Sequence, residues 1–174
     1  MIGGKRRIDR VLAPEFTDGL EEIDLEQLRE RRDVCRAERD YLSFVRRLLQ
    51  GRRDILQAEL ERRRRDGDEG TLLELVAAIL ADAPTGSSRG EAPVFTIPDE
   101  EINLARRRVE RLVSDSRLSD LPALADEELE EAVERIDEEE RNLSDLRARV
   151  LQVHDTLQAE LVRKWRDRLS GMTG

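Results

Sequence analysis

The sequence predicts an all-α protein in which two long helices form an antiparallel coiled-coil hairpin with short connecting helices and a flexible linker. Charged residues make up 41% of the 174 positions and aromatic residues only 3%, which is typical of long helices and coiled coils. Helical periodicity runs through residues 23–67 and 126–170. Residues 42–66 and 143–167 align without a gap and are identical at 12 of 25 positions. One long helix is therefore present in two copies.

The N-terminal part of the chain leads into the first of these helices. Residues 1–22 contain a basic stretch without periodicity, and we interpret them as a tail or a partner-binding arm. Asp24 followed by Gln27 resembles a capping box, so the first long helix is assigned to residues 23–67 and ends at Gly67. A helix of about 43 residues is about 64 Å long and needs a partner along its side.

Residues 68–125 are predicted to connect the two long helices. Apolar residues over 71–81 indicate a short helix, and the Pro, Gly and Ser content of residues 82–97 indicates a flexible linker. A further short helix is predicted over 99–114. The second long helix, residues 126–170, follows. Two long helices joined in this way are expected to run antiparallel.

Apolar side chains form a seam on each long helix. At 100° per residue they fall within one arc, which predicts coiled-coil packing. The longest identical run, residues 56–60 and 157–161, is interpreted as seam and surface, and the basic residues 62–65 as a favourable charge at a helix C-terminus. The seam residues are Leu42, Val45, Leu49, Leu56 and Leu60 in the first helix and Leu143, Leu146, Val150, Leu157 and Leu161 in the second.

The repeat also preserves polar residues, which helix packing alone does not require. In each copy they fall within an arc of about 80° beside the seam. Because the helices are expected to run antiparallel, we predict that Ser43 lies opposite Asp155 and Asp54 opposite Ser144, so that one face of the hairpin presents two like sites. The alternatives are a solvated face with intrahelical ion pairs, or a duplication that has drifted slowly. The candidate ligand-binding residues are Ser43, Arg46, Gln50 and Asp54 in the first copy and Glu140, Ser144, Arg147 and Asp155 in the second.

The chemistry of these residues suits a guanine nucleotide. An aspartate can accept two hydrogen bonds from the N1–H and N2–H₂ edge of guanine. An arginine can donate to guanine O6 and N7, hold a phosphate or stack on the base. The sequence contains neither a Walker lysine loop nor a GxGxxG motif, which excludes the standard nucleotide-binding folds.

The polar stripe resembles the signature of the RsiG family, anti-sigma factors of actinomycetes that bind cyclic di-GMP. That signature is Glu-x3-Ser-x2-Arg-x3-Gln-x3-Asp on each of two antiparallel helices. Arg39 stands at the first Glu position, with Glu38 one residue early, and Leu151 stands at the second Gln position, with Gln152 displaced to the side. We assign no role to Glu38 or Gln152, and we expect two half-sites that are not equivalent.

The resemblance implies a ligand and a partner. The hairpin would bind cyclic di-GMP, as two molecules, and in that state sequester a WhiG-like sigma factor for sporulation genes. Ligand and partner would then raise each other's affinity. The chief rival hypothesis is a structural coiled-coil adaptor without a nucleotide ligand.

The composition of the chain disfavours several other classes of protein. The net charge of −9 disfavours direct nucleic-acid binding and suits a basic protein partner. Cys35 is the only cysteine, so an intramolecular disulfide is excluded, and we expect its side chain to pack in the seam. Since the sequence contains no apolar stretch of membrane length, we expect a cytoplasmic protein. His154 is the only histidine, and neither a metal site nor a nucleophile–base pair is predicted, so we expect no enzyme activity.

Overall fold

The computed structural model describes residues 6–65 and 97–172, and these residues form helices and turns without a strand. The all-α prediction is confirmed. The predicted helix over 71–81 and nearly all of the predicted linker over 82–97 lie outside the described residues. The elements in chain order are α1 (Arg7–Val11), a 3-10 turn (Pro14–Phe16), α2 (Leu25–Arg64), α3 (Asp99–Glu110), α4 (Asp115–Ser119), a second 3-10 turn (Leu121–Ala123) and α5 (Asp126–Met172).

The chain folds as two compact units. Unit 1 consists of residues 1–43 with 144–174, and unit 2 of residues 44–143. Within unit 1 the first part of α2 pairs with the second part of α5, and within unit 2 the remaining parts pair with each other. In both units, residues later in α2 contact residues earlier in α5, so the paired segments run antiparallel. The two long helices therefore pack together as predicted.

Local sequence signals explain the starts of α2 and α4. Asp24 Oδ1 accepts a hydrogen bond of 2.8 Å from the backbone N–H of Gln27, which confirms the predicted cap of α2. Helix α3 ends at Glu110 rather than at Ser114, because Ser114 Oγ instead accepts from Arg117 N at 3.3 Å and caps α4. Helix α5 extends to Met172, two residues beyond the predicted end.

The seam forms the core of both units. Of the ten predicted seam residues nine are buried, and Leu146 is half-buried. Each fully buried leucine side chain contributes about 1.5–3 kcal/mol relative to an exposed one, so the seam dominates the stability of the helix pairs. The buried nine are Leu42, Val45, Leu49, Leu56, Leu60, Leu143, Val150, Leu157 and Leu161.

Residues 6–23 fold onto unit 1, although their sequence has the aperiodic character of a tail. Val11, Phe16 and Leu20 are buried in this segment, which we call the N-terminal arm. Arg31 Nη1 donates a hydrogen bond of 2.7 Å to Phe16 O. Arg7 Nε donates to the buried carboxylate of Glu38 at 2.5 Å. A five-residue helix and a 3-10 turn are too short to produce a helical period, which is why the sequence pattern missed them.

The duplication extends to the arm. The two copies of the long helix lie 101 positions apart, and the same offset relates α1 to the end of α3. It also relates the ion pair Arg7–Glu38 to Arg108–Glu139, whose nitrogen and oxygen lie 2.6 Å apart. Leu20 and Leu121 also correspond, and both are buried. Some internal contacts are thus repeated between the two units. Extending the gap-free alignment toward the N-terminus would have revealed this relation.

Cys35 is fully buried in unit 1, as expected, and burial raises the pKa of its thiol to about 11. We expect iodoacetamide at pH 8 to leave Cys35 unmodified in the folded protein and to modify it in urea, because the thiolate is the reactive species. Mass spectrometry after timed labelling measures this directly, since the chain has one cysteine. Modification of the folded protein at the rate of a free thiol would contradict the buried position.

Candidate functional site

Four of the predicted ligand residues meet in unit 2, and we call them the unit 2 cluster: Arg46, Gln50, Asp54 and Glu140. Glu140 Oε1 accepts from Arg46 Nε at 3.1 Å and from Gln50 Nε2 at 2.6 Å, so three of them share one hydrogen-bond network across the two helices. The side chain of Glu140 is only 14% exposed. The network fixes the guanidinium of Arg46 between α2 and α5.

The edge of the unit 2 cluster is organised by Arg53. Its Nη1 lies 3.4 Å from Glu140 Oε2 and 3.4 Å from Asp137 Oδ1. Its Nη2 lies 3.6 Å from Asp54 Oδ1. Asp54 remains 45% exposed, so its carboxylate is accessible to a ligand that carries paired N–H donors.

The other four residues lie in unit 1, and we call them the unit 1 cluster: Ser43, Ser144, Arg147 and Asp155. Ser43 Oγ donates to Arg39 O at 2.8 Å and accepts from Arg147 Nε at 3.1 Å. Ser144 is half-buried. Asp155 is 68% exposed, and its Oδ1 lies 3.2 Å from Nδ1 of His154. Arg147 is held by a neutral hydroxyl across the helix pair.

The prediction that Ser43 lies opposite Asp155 across the helix pair is wrong. Ser43 lies beside Arg147, and Asp155 is eight residues further along α5, which corresponds to about 12 Å along the helix axis. In unit 2, the turn of α2 that carries Asp54 lies beside Asp137, through Arg53. Each unit therefore contains an arginine that contacts the opposite long helix and an aspartate eight residues further along the arginine's own helix.

The two clusters do not correspond to the two copies of the motif. Each cluster takes residues from both copies, because the helices pair in opposite directions. As a result, the two positions that depart from the motif, Arg39 and Leu151, both fall in unit 1. Unit 2 retains Glu140 and Gln50, which bond to each other. A linear alignment cannot show this, since it places one departure in each copy.

A second set of repeated polar residues has a structural role that the sequence analysis missed. Glu59 belongs to the longest identical run, and its side chain is 1% exposed. Its carboxylate accepts from Arg62 Nε and Arg63 Nε, each at 2.8 Å, and the hydrogen bond from Arg62 leads the effects that lower its pKa. Arg63 also donates to Leu121 O and Leu124 O at 2.8 Å each. Arg63 thereby clamps the turn before α5.

Unit 1 contains the corresponding clamp. Lys164 aligns with Arg63, and its Nζ donates to Glu21 O at 2.8 Å and to Ile23 O, in the turn before α2. Glu160 aligns with Glu59 and accepts from Arg163 at 2.6 Å, and this hydrogen bond lowers the pKa of Glu160. These residues were interpreted as seam, surface and helix-end charge. Part of the repeated polar pattern is therefore explained by folding alone.

We also searched the described parts of the chain for metal sites and membrane-spanning helices. Residues 6–65 and 97–172 contain no group of three metal-ligating side chains. Over the same ranges no helix combines the length and apolar character that a membrane span requires.

Comparison with known protein families gives a match for the first part of the chain. No curated protein matches the chain. Residues 14–80 match a family model described as RsiG-like, a span that includes α2 with Ser43, Arg46, Gln50 and Asp54. The match supports a role of the anti-sigma-factor type. Through this segment, the chain is similar to the RsiG-like family.

Proposed function

We propose that the protein is an anti-sigma factor that binds two molecules of cyclic di-GMP and in that state sequesters a WhiG-like sporulation sigma factor. It acts as a cytoplasmic binding protein rather than as an enzyme, and it needs no metal. The observation that carries this proposal is that each unit places an arginine from one helix against a polar residue of the other, with an exposed aspartate nearby.

The side chains in each unit divide the work of recognition. Asp54 and Asp155 are exposed acceptors, which suits the N1–H and N2–H₂ edge of guanine. Arg46 and Arg147 supply guanidinium groups for a phosphate or for guanine O6 and N7. The serine residues and Gln50 add short neutral contacts.

Ligand binding would couple to partner binding through the helix pairs. Since each cluster includes residues of both α2 and α5, a ligand that contacts a whole cluster stabilises the pairing of the two helices. A sigma factor that recognises the paired state then binds more tightly when ligand is present, and the effect is reciprocal. The acidic chain also suits a partner whose DNA-binding surface is basic.

Calorimetry with cyclic di-GMP tests the proposal. The variant carrying both Arg46→Ala and Arg147→Ala is expected to lose at least about tenfold in affinity at each cluster, because each cluster loses one charged contact worth about 1.5–3 kcal/mol. Arg149→Ala is the matched control, since it removes an exposed arginine of α5 outside both clusters. Cyclic di-AMP serves as the control for guanine recognition.

A second measurement separates the ligand-dependent anti-sigma factor from the adaptor. Recovery of the sigma factor on immobilised protein is expected to rise when cyclic di-GMP is added to the wild type, and to stay unchanged in the double variant. Absence of heat in the wild type, with equal recovery with and without nucleotide, would favour the structural adaptor.

A further inference from the structure

We infer that the C-terminal part of α5 is a docking surface for an amphipathic helix of the sigma factor, one whose apolar side is flanked by carboxylates. Val162, Trp165 and Leu169 form this surface, which we call the apolar stripe. The inference rests on the proposed function for the identity of the partner. It adds where on unit 1 the partner is held and which chemistry its helix carries.

The apolar stripe exposes three large apolar side chains on one face of α5. Val162 is 39% exposed, Trp165 43% and Leu169 58%. At 100° per residue they fall within an arc of about 60°, and their spacing is i, i+3 and i+7. Helices that pack side by side use this spacing, so a second helix fits along the stripe.

The duplicated helix provides an internal comparison, because unit 2 has charged residues at equivalent positions. The offset of 101 pairs Val162 with Glu61 and Trp165 with Arg64. Both side chains of unit 2 are exposed, at 64% and 67%. Packing of the helix pair therefore does not require apolar residues at these positions. A group of apolar side chains exposed without a packing reason marks an interaction site.

Arginine side chains lie along both edges of the apolar stripe. Arg166 and Arg168 lie on opposite sides of it, and Cζ of Arg29 lies 5.6 Å from the centre of the Trp165 ring. Among the residues that the structure describes, no carboxylate forms an ion pair with these three arginines. Residues 156–170 contain four basic and two acidic residues, although the chain has a net charge of −9. The stripe is therefore a locally basic surface on an acidic protein.

These charges determine which kind of helix fits the apolar stripe. Carboxylates beside the apolar side of a partner helix would pair with Arg166 and Arg168, whereas a basic helix would meet like charges. The stripe is about 10 Å long, which corresponds to about two turns of such a helix. An acidic helix here complements the basic DNA-binding surface that suits the acidic remainder of the chain.

The small size of the apolar stripe favours the sigma factor over a second copy of the chain. Three side chains do not supply the roughly 1,200–2,000 Å² that a stable protein–protein interface buries. They suit an anchor within a larger complex instead. Tryptophan and arginine are the residue types that contribute most to such anchors.

The apolar stripe lies outside both ligand clusters. Trp165 is ten residues beyond Asp155 in α5, which corresponds to about 15 Å along the helix axis. A helix docked on the stripe therefore leaves the nucleotide-binding residues untouched. Changes in the stripe should weaken the partner and leave nucleotide binding as it is.

The residues of unit 2 supply the test variant. Val162→Glu with Trp165→Arg copies the charged residues of the duplicated helix, so α5 is expected to keep its fold. In calorimetry with the purified sigma factor, we expect this variant to bind at least about 30-fold more weakly than the wild type. Cyclic di-GMP alone should bind both proteins equally. The matched control is Ala159→Glu with Ser170→Arg, which makes the same charge changes at exposed positions outside the stripe.

Charge reversal at the edges tests the chemistry of the partner helix. Arg166→Glu with Arg168→Glu is expected to weaken sigma-factor binding by at least about tenfold at low salt. The loss should shrink as the salt concentration rises, because salt screens exposed charges. Unchanged or tighter binding would overturn the acidic partner helix.

Trp165 reports docking directly, since it is the only tryptophan of the chain. With 5-fluorotryptophan at this position, the fluorine NMR signal of the wild type is expected to shift when the sigma factor is added. Cyclic di-GMP alone should leave the signal unchanged. This measurement needs no substitution, so it tests the stripe even if a variant does not fold. An unchanged signal in the complex would overturn the docking surface.

The outcomes separate the docking surface from the proposed function. If the wild type binds no sigma factor, with or without cyclic di-GMP, the proposed function fails and the docking surface fails with it. Equal binding of the sigma factor by the wild type and by Val162→Glu with Trp165→Arg would overturn the docking surface alone. Dimers of the free wild type in sedimentation that this variant abolishes would assign the stripe to a second copy of the chain, which also overturns the inference.

Discussion

Replacing Phe16 and Leu20 together with alanine is expected to lower the free energy of unfolding by about 4 kcal/mol. Both side chains are buried in the N-terminal arm, at 9% and 7% exposure, and large-to-small changes at buried positions cost about 2–5 kcal/mol each. The two changes lie in one segment, so their effects are not expected to add fully. Urea unfolding followed by circular dichroism at 222 nm measures the difference.

The matched control replaces two neighbouring exposed residues of the same arm, Glu15 and Glu21, with alanine. We expect this variant to remain within about 0.5 kcal/mol of the wild type, as is usual for surface positions. A tail that serves only a partner would give equal stability in both variants and a loss of partner binding in the first. That pattern would contradict the packed arm.

The second large effect is expected at the clamp of unit 2. Arg63→Met should lower the free energy of unfolding by about 3 kcal/mol, because Arg63 donates to two backbone carbonyls and to the buried Glu59 and pairs with Asp126. Methionine retains the length and apolar part of the side chain. The lost contacts are therefore polar, and urea unfolding reports their contribution.

The neighbouring residue provides the control. Arg64 is 67% exposed and pairs with Glu130, which is 54% exposed, so Arg64→Met is expected to cost less than about 1 kcal/mol. Combining Arg63→Met with Glu59→Gln should cost less than the sum of the single changes, since the two side chains bond to each other. Equal effects of Arg63→Met and Arg64→Met would contradict the clamp.

The fold was predictable because its determinants are local. The apolar seam has helical periodicity, and Asp24 caps α2 through a side-chain contact three residues away. The same local character accounts for the burial of Cys35, which lies on the seam. The predicted helix ends were less accurate where a residue caps the next helix instead, as Ser114 does.

The arrangement of the candidate site was less predictable because it depends on register. A seam of leucine and valine is compatible with several alignments of two antiparallel helices. The clamps of Lys164 and Arg63 tie each helix to the turn before its partner and so restrict the register. That information lies in contacts with backbone carbonyls, which leave no pattern in the sequence. Each unit contains four of the candidate residues, and their binding role stays a prediction.

The pairing of distant parts of α2 and α5 also constrains how the chain folds. The cross-helix contact nearest the connection, Arg63 to Asp126, joins residues 63 positions apart, whereas Ser43 to Arg147 joins residues 104 apart and Lys164 to Glu21 joins residues 143 apart. Helical proteins usually fold quickly because their contacts are local, but here the pairing of α2 with α5 requires closure of a long loop. Pairing within unit 2 shortens the loop that the segments of unit 1 must close. Helices α2 and α5 are therefore expected to pair from Arg63 and Asp126 toward the two ends of the chain.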